Sequence, residues 1–128
     1  MISLTGVSKQ YGTTILASDS TIVAAGDVVV ARELDVVRVK GKDETVRIHE
    51  ILGPPDCAAA TALLRERFAA GLAAYRRRDF AAAVQAFEAA LDEHANDHPS
   101  ALYLRRARAL LATPPPPDWE PVVTFDEK

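Results

Sequence analysis

The stretch from Arg32 to Leu52, RELDVVRVKGKDETVRIHEIL, restricts the fold more than any other part of the chain. Glu33 to Lys40 carries Leu34, Val37 and Val39 among Asp35, Arg38 and Lys40. Thr45 to Leu52 alternates Val46 and Ile48 with Arg47 and His49. A period of two is what a strand with one covered face requires, because successive side chains point to opposite sides. Gly41-Lys42-Asp43-Glu44 separates the runs with a flexible glycine and solvated charges, so an antiparallel hairpin is expected. Val36-Val37 interrupts the alternation, and a β-bulge or a twist is expected there.

The turn has chemical content of its own. Lys40 and Lys42 flank Gly41 at the hairpin tip. Two ammonium groups beside a backbone that can be approached closely suit a polyphosphate. The same lysines equally serve to keep a strand end solvated and unpaired. Spacing alone leaves both readings open.

Ile2 to Gln10 can form a little over two helical turns, stopped by Tyr11-Gly12. Thr14 to Ala17 reads as a short strand, and Ser18 or Asp19 can cap a brief helix through Ala25 that ends at Gly26. Val28 to Ala31 leads into the hairpin. The first region is therefore β-α-β-β. In order and spacing, SKQYGTTILAS followed by RELDVVRVKGKDETVRIHEIL resembles the C-terminal end of class III nucleotidyl cyclases (adenylate and guanylate cyclases) of the bacterial branch. The resemblance covers about residues 3–53. It implies the last part of a ferredoxin-like catalytic fold, with Lys40 or Lys42 at the position of a lysine that contacts substrate phosphates. It also implies what is missing. The family's metal-binding aspartates have no counterpart here, Ser3 falls at the position of the catalytic arginine, and the catalytic asparagine falls before Met1. No residue of this chain is assigned to catalysis or to a metal. A complete parent would take ATP with Mg or Mn; this chain alone is expected to use no cofactor.

Gly53-Pro54-Pro55 ends the last strand and starts a helical region. Asp56 is expected to cap a helix to about Arg77, with Leu63, Leu64, Phe68, Leu72 and Tyr75 inward. A second helix is expected from Phe80 to about His94. A third is expected from Ser100 to Leu111, with Leu102, Tyr103, Ala107, Leu110 and Leu111 inward. Gly71, Phe80, Ala83, Phe87 and Ala90 fit the small-and-aromatic pattern of a tetratricopeptide repeat of about 34 residues. From Thr113 the chain reads TPPPPDWEPVVTFDEK, an extended proline strut. Its end is similar to that of cyclases with a helical extension, and Trp119 is expected to dock back on the helices or the hairpin. The expected organisation is a cyclase end over 1–53, a three-helix tetratricopeptide-like segment over 54–112 and a proline-rich tail over 113–128, an α+β chain.

A net charge of −3 gives no case for nucleic acid, and no apolar run approaches the roughly 20 residues of a membrane span. With a single cysteine, Cys57, no intrachain disulfide can form, which suits a cytoplasmic location. His94 and His98 lie four apart, but Asn96-Asp97 and Pro99 interrupt the helix that would align them, and no metal site is assigned. His49 is expected to be solvated, Arg76-Arg77-Arg78 to complement a helix end or hold an anion, and Arg105, Arg106 and Arg108 to form a solvated face. Val28, Val30, Leu34, Val37, Val39, Val46 and Ile48 are more than about 50 residues of sheet cover alone. The helices, a second copy or another protein is expected to cover them. The chain is thus expected to be a non-catalytic association or regulatory module of cyclase descent. The alternative is a peptide-binding helical-repeat adaptor.

Overall fold

The computed structural model describes residues 15–39 and 44–125. The chain is α+β and divides into two compact units, Met1–Ala59 with Val122–Lys128, and Ala60–Pro121. The helix expected over Ile2–Gln10 with its Tyr11-Gly12 stop, like Thr14 and the lysine-bearing turn, lies outside the described residues.

In the sheet unit, β1 (Leu16–Ser18) leads into helix α1 (Asp19–Ala25). Ser18 caps α1 by accepting from the Thr21 N–H, and Gly26, at φ +57°, donates to the Ile22 carbonyl. Glycine suits that position because side chains rarely tolerate positive φ. A 3-10 turn (Gly26–Val28) follows, then β2 (Val30–Val39) and β3 (Thr45–Gly53). The sheet order is β1-β3-β2-β4, the first three strands antiparallel. The short β4 (Val123–Phe125) returns from the far end of the chain to pair parallel with Val37–Val39.

The bulge sits elsewhere than expected. Val36 and Val37 pair regularly with Arg47 and Val46, and the register shifts between Glu33 and Asp35, so the extra residue is Leu34. A bulged pair of residues can share a side of the sheet. Arg32, Leu34, Asp35 and Val37 are accordingly all buried, and the irregularity preserves one covered face across the LDVV run. A second shift falls between Val30 and Ala31. Leu34, Val37 and Ile48 are fully buried within the single chain, so those three need no second copy to cover them. Val28, by contrast, is exposed.

A 3-10 turn (Pro55–Cys57) opens the helical region, and α2 runs over Ala58–Arg76. Asp56 lies inside that turn and is not the cap; a proline at its first position needs no N–H partner. Helix α3 (Phe80–Glu93) is capped by Asp79, which accepts from Ala82. Helix α4 (His98–Ala112) starts before Ser100, because Asp97 accepts from the Ser100 N–H and Pro99 fits the first turn. Phe68 meets Phe87 and Tyr103 edge-on, with centroids 5.5 and 5.8 Å apart, and Phe87 stacks on Tyr103 at 5.4 Å. Gly71 makes room for this cluster, since a Cβ there would lie 2.5 Å from Phe87 Cε1. Phe80, Ala83, Phe87 and Ala90 are buried as their spacing requires. Leu63 and Leu111, expected inward, are each about half exposed; Leu64 is buried as expected, and Leu104 is buried as well. Arg67 joins α2 to α3 through the Ala89 carbonyl at 3.1 Å and Glu93 at 2.6 Å. Trp119 packs back on this unit, against Tyr75 and Phe80.

Candidate functional site

The β2–β3 register leads up to the stretch of sequence that carries Lys40 and Lys42. Arg38 opposite Thr45 is the last pair of the β2–β3 ladder before the turn. Lys40 and Lys42 follow in sequence and lie outside the described residues. On the β3 side of the stem, Thr45, Val46 and Arg47 line a cavity of about 340 Å³ with Ser18, Asp19 and Ser20 from the start of α1. Its polar groups are hydroxyls, one carboxylate and one guanidinium, so it can hydrogen-bond a small polar group. The Ser18 hydroxyl is taken up by Ser20 and Thr21, each at 3.1 Å, in its role as helix cap.

His49 is not solvated. Its side chain is only 14% exposed, and its Nε2 lies 2.5 Å from Asp19 Oδ1. It therefore ties β3 to the first residue of α1. Arg47, two residues along the strand, is exposed and lies 3.6 Å from Glu33.

The buried face carries charge that the linear reading missed. Arg32 Nε and Nη2 lie 2.7 and 2.5 Å from Glu50 Oε1, with side chains 4% and 13% exposed. Asp35 is also buried, and its Oδ1 accepts from the Val36 N–H at 2.8 Å. The Leu34 bulge makes the ion pair possible. Extending the Val37–Val46 register without it would set Arg32 opposite Ile51 and Glu33 opposite Glu50; with it, Arg32 faces Glu50. The signal was present as an Arg and a Glu on partner strands, but it becomes readable only once the bulge is placed. The pair links β2 to β3 across the ladder at this register.

The remaining candidates separate. Among the described residues, no group of three His, Cys, Asp or Glu side chains converges as metal ligands. His94 follows the end of α3 and His98 opens α4. Arg77 lies 3.7 Å from Asp79, Arg106 stacks over Tyr103 at 5.0 Å and Arg108 pairs with Glu88 at 3.0 Å, so these arginines serve local packing. Among the described residues, no helix is long and apolar enough to cross a membrane.

No family model matches the chain, and no solved structure matches it. Two curated proteins do, in part. Adenylate cyclase 1 of Rhizobium meliloti (strain 1021) is 36% identical over 50 residues, 39% of this chain. The terminal-differentiation-specific adenylate cyclase of Dictyostelium discoideum is 30% identical over 103 residues, 77% of this chain. A segment that long in a chain of this length takes in β3, α2 and α3. The chain spans 8% and 5% of the length of these two proteins. It thus contains a region with partial similarity to adenylate cyclases, carried on a hairpin sheet and the helices that follow it.

Proposed function

We infer that this chain is the C-terminal portion of a class III adenylate-cyclase-like protein. On this reading, residues 1–53 are the closing β-α-β-hairpin of a ferredoxin-like catalytic fold, 54–112 a tetratricopeptide-like extension and 113–128 a proline-rich tail. The observation that carries the reading is that the similarity to the Dictyostelium cyclase runs through hairpin and helices together. Acting alone, the chain is a non-catalytic regulatory or association module of the cytoplasm, joining its own copies or another protein. A complete parent converts ATP to cyclic AMP and diphosphate with Mg or Mn, and Lys40 or Lys42 grips the phosphates from the tip of the hairpin. Activating the attacking hydroxyl requires metal ions held by carboxylates. The aspartates to which the cyclase resemblance gives that role have no match in this sequence.

The purified chain is expected to yield no cyclic AMP above background from ATP with Mg or Mn; measurable turnover would overturn its assignment as a non-catalytic module. In a complete parent, replacing the phosphate-gripping lysine by Ala, tested as Lys40→Ala and Lys42→Ala, should lower kcat by about a hundredfold. Full activity in both variants would remove the phosphate role. The adaptor alternative requires an open surface on the helices, and Trp119 occupies one end of them.

A further inference from the structure

The segment 115–119 is held the way a protein holds a peptide. It follows the end of α4 at Ala112 and has no helix or strand of its own. Arg78 donates from Nη2 to the Pro115 carbonyl at 2.8 Å and from Nη1 to the Pro116 carbonyl at 3.0 Å. A turn then closes, with the Trp119 N–H donating to the Pro116 carbonyl at 3.0 Å. That turn delivers the indole edge-on to Tyr75 and Phe80, both at 5.5 Å, with the Arg78 guanidinium 5.6 Å from the indole ring. A bidentate donor to two successive proline carbonyls, followed by one aromatic anchor, is a recognition arrangement with a directional reading frame.

Two further observations set this contact apart from ordinary core packing. Arg78 has φ +67°, a left-handed backbone that is unfavourable for a non-glycine residue. The position after a helix end is one where glycine is the usual occupant. The chain keeps a long side chain at that position, and this side chain makes both carbonyl contacts. Second, the central cluster of Phe68, Phe87 and Tyr103 is complete within the three helices. Trp119 meets Tyr75 and Phe80, and Tyr75 in turn meets Tyr103 at 5.2 Å, so the indole lies at the edge of that cluster.

We propose that Tyr75, Arg78 and Phe80 form a binding surface for a proline-rich segment with a tryptophan anchor, and that residues 115–119 are its built-in, displaceable ligand. The site takes a Pro-Pro-Xaa-Xaa-Trp segment. The chain's own copy competes from a high local concentration, so a partner bearing the same segment binds only when the strap is released. This inference stands apart from the cyclase reading and survives its failure.

The chain has a single tryptophan, so full-length Trp119→Ala is free of indole. A synthetic peptide of residues 113–121 then supplies the sole fluorophore. The peptide's emission should shift to shorter wavelength, saturably, on titration with Trp119→Ala. Binding should weaken by about tenfold or more with Trp119→Ala/Arg78→Ala, and by a similar factor with the unaltered chain, measured by calorimetry. In the otherwise unaltered chain, Arg78→Ala should shift Trp119 emission to longer wavelength and raise its quenching by acrylamide, with helical circular dichroism unchanged. The proposal is overturned if Trp119→Ala loses its helical signal, if the peptide gives no saturable shift, or if Arg78 makes no difference to it.

Discussion

Phe68, Phe87 and Tyr103 meet ring against ring at the centre of the helical unit. In the sheet unit the buried positions hold Leu34, Val37 and Ile48 beside Asp35 and an Arg32–Glu50 ion pair. The two kinds of interior fail differently. An aromatic core loses stability in proportion to the volume removed, because its partners cannot fully collapse into the gap. A core with a buried ion pair suffers little when both members are replaced by matched apolar groups, and a great deal when one is removed. The helical interior is built on shape, and the hairpin interior combines apolar side chains with a paired charge.

That contrast can be broken, beginning with the largest effects. Phe87→Ala should destabilise the helical unit by about 3–5 kcal/mol in urea unfolding followed by far-ultraviolet circular dichroism. Glu50→Ala should cost about 1–3 kcal/mol, because it removes the carboxylate that Arg32 meets in a buried setting. The double variant Arg32→Met/Glu50→Leu separates the two interiors. It should recover most of that loss, and a cycle showing additive costs would mean that the pair is not coupled. Gly71→Ala should cost about 1–3 kcal/mol, since the new methyl group must displace the Phe87 ring. The smallest effects belong to the helix caps. Asp79→Ala and Asp97→Ala should each cost about 1 kcal/mol, and an effect near zero would mean that water replaces the carboxylate without penalty.

Much of the local structure was readable from residue types. The Ser18 cap, the Gly26 stop and the hairpin runs are local signals, and the structure follows them. The bulge was not readable to the residue. Leu34 and Val37 are both apolar and three apart, so one extra residue anywhere between them reconciles the pattern. The adjacent valines mark the break in alternation at Val36-Val37, whereas the structure buries Asp35 with a hydrogen bond to the next N–H. At the Leu63-Leu64 pair the sequence does not say whether both leucines face inward, and packing buries Leu64 and leaves Leu63 about half exposed. At the candidate site, lysines beside a glycine were visible as a chemical type. The Arg32–Glu50 pair and the His49–Asp19 contact were not, because each joins residues far apart in sequence. Arg78 was visible only as part of a basic cluster; its left-handed backbone and its grip on two prolines exist only in three dimensions.

The parallel pairing of β4 with β2 has a temporal consequence. Residues 37–39 are made before the long helices, and their partners at 123–125 after them. Throughout synthesis of all three long helices, that margin of the sheet stays open to any extended polypeptide nearby. The helices are therefore made as an insertion between two strands that pair with each other, and that pairing waits for residues 123–125.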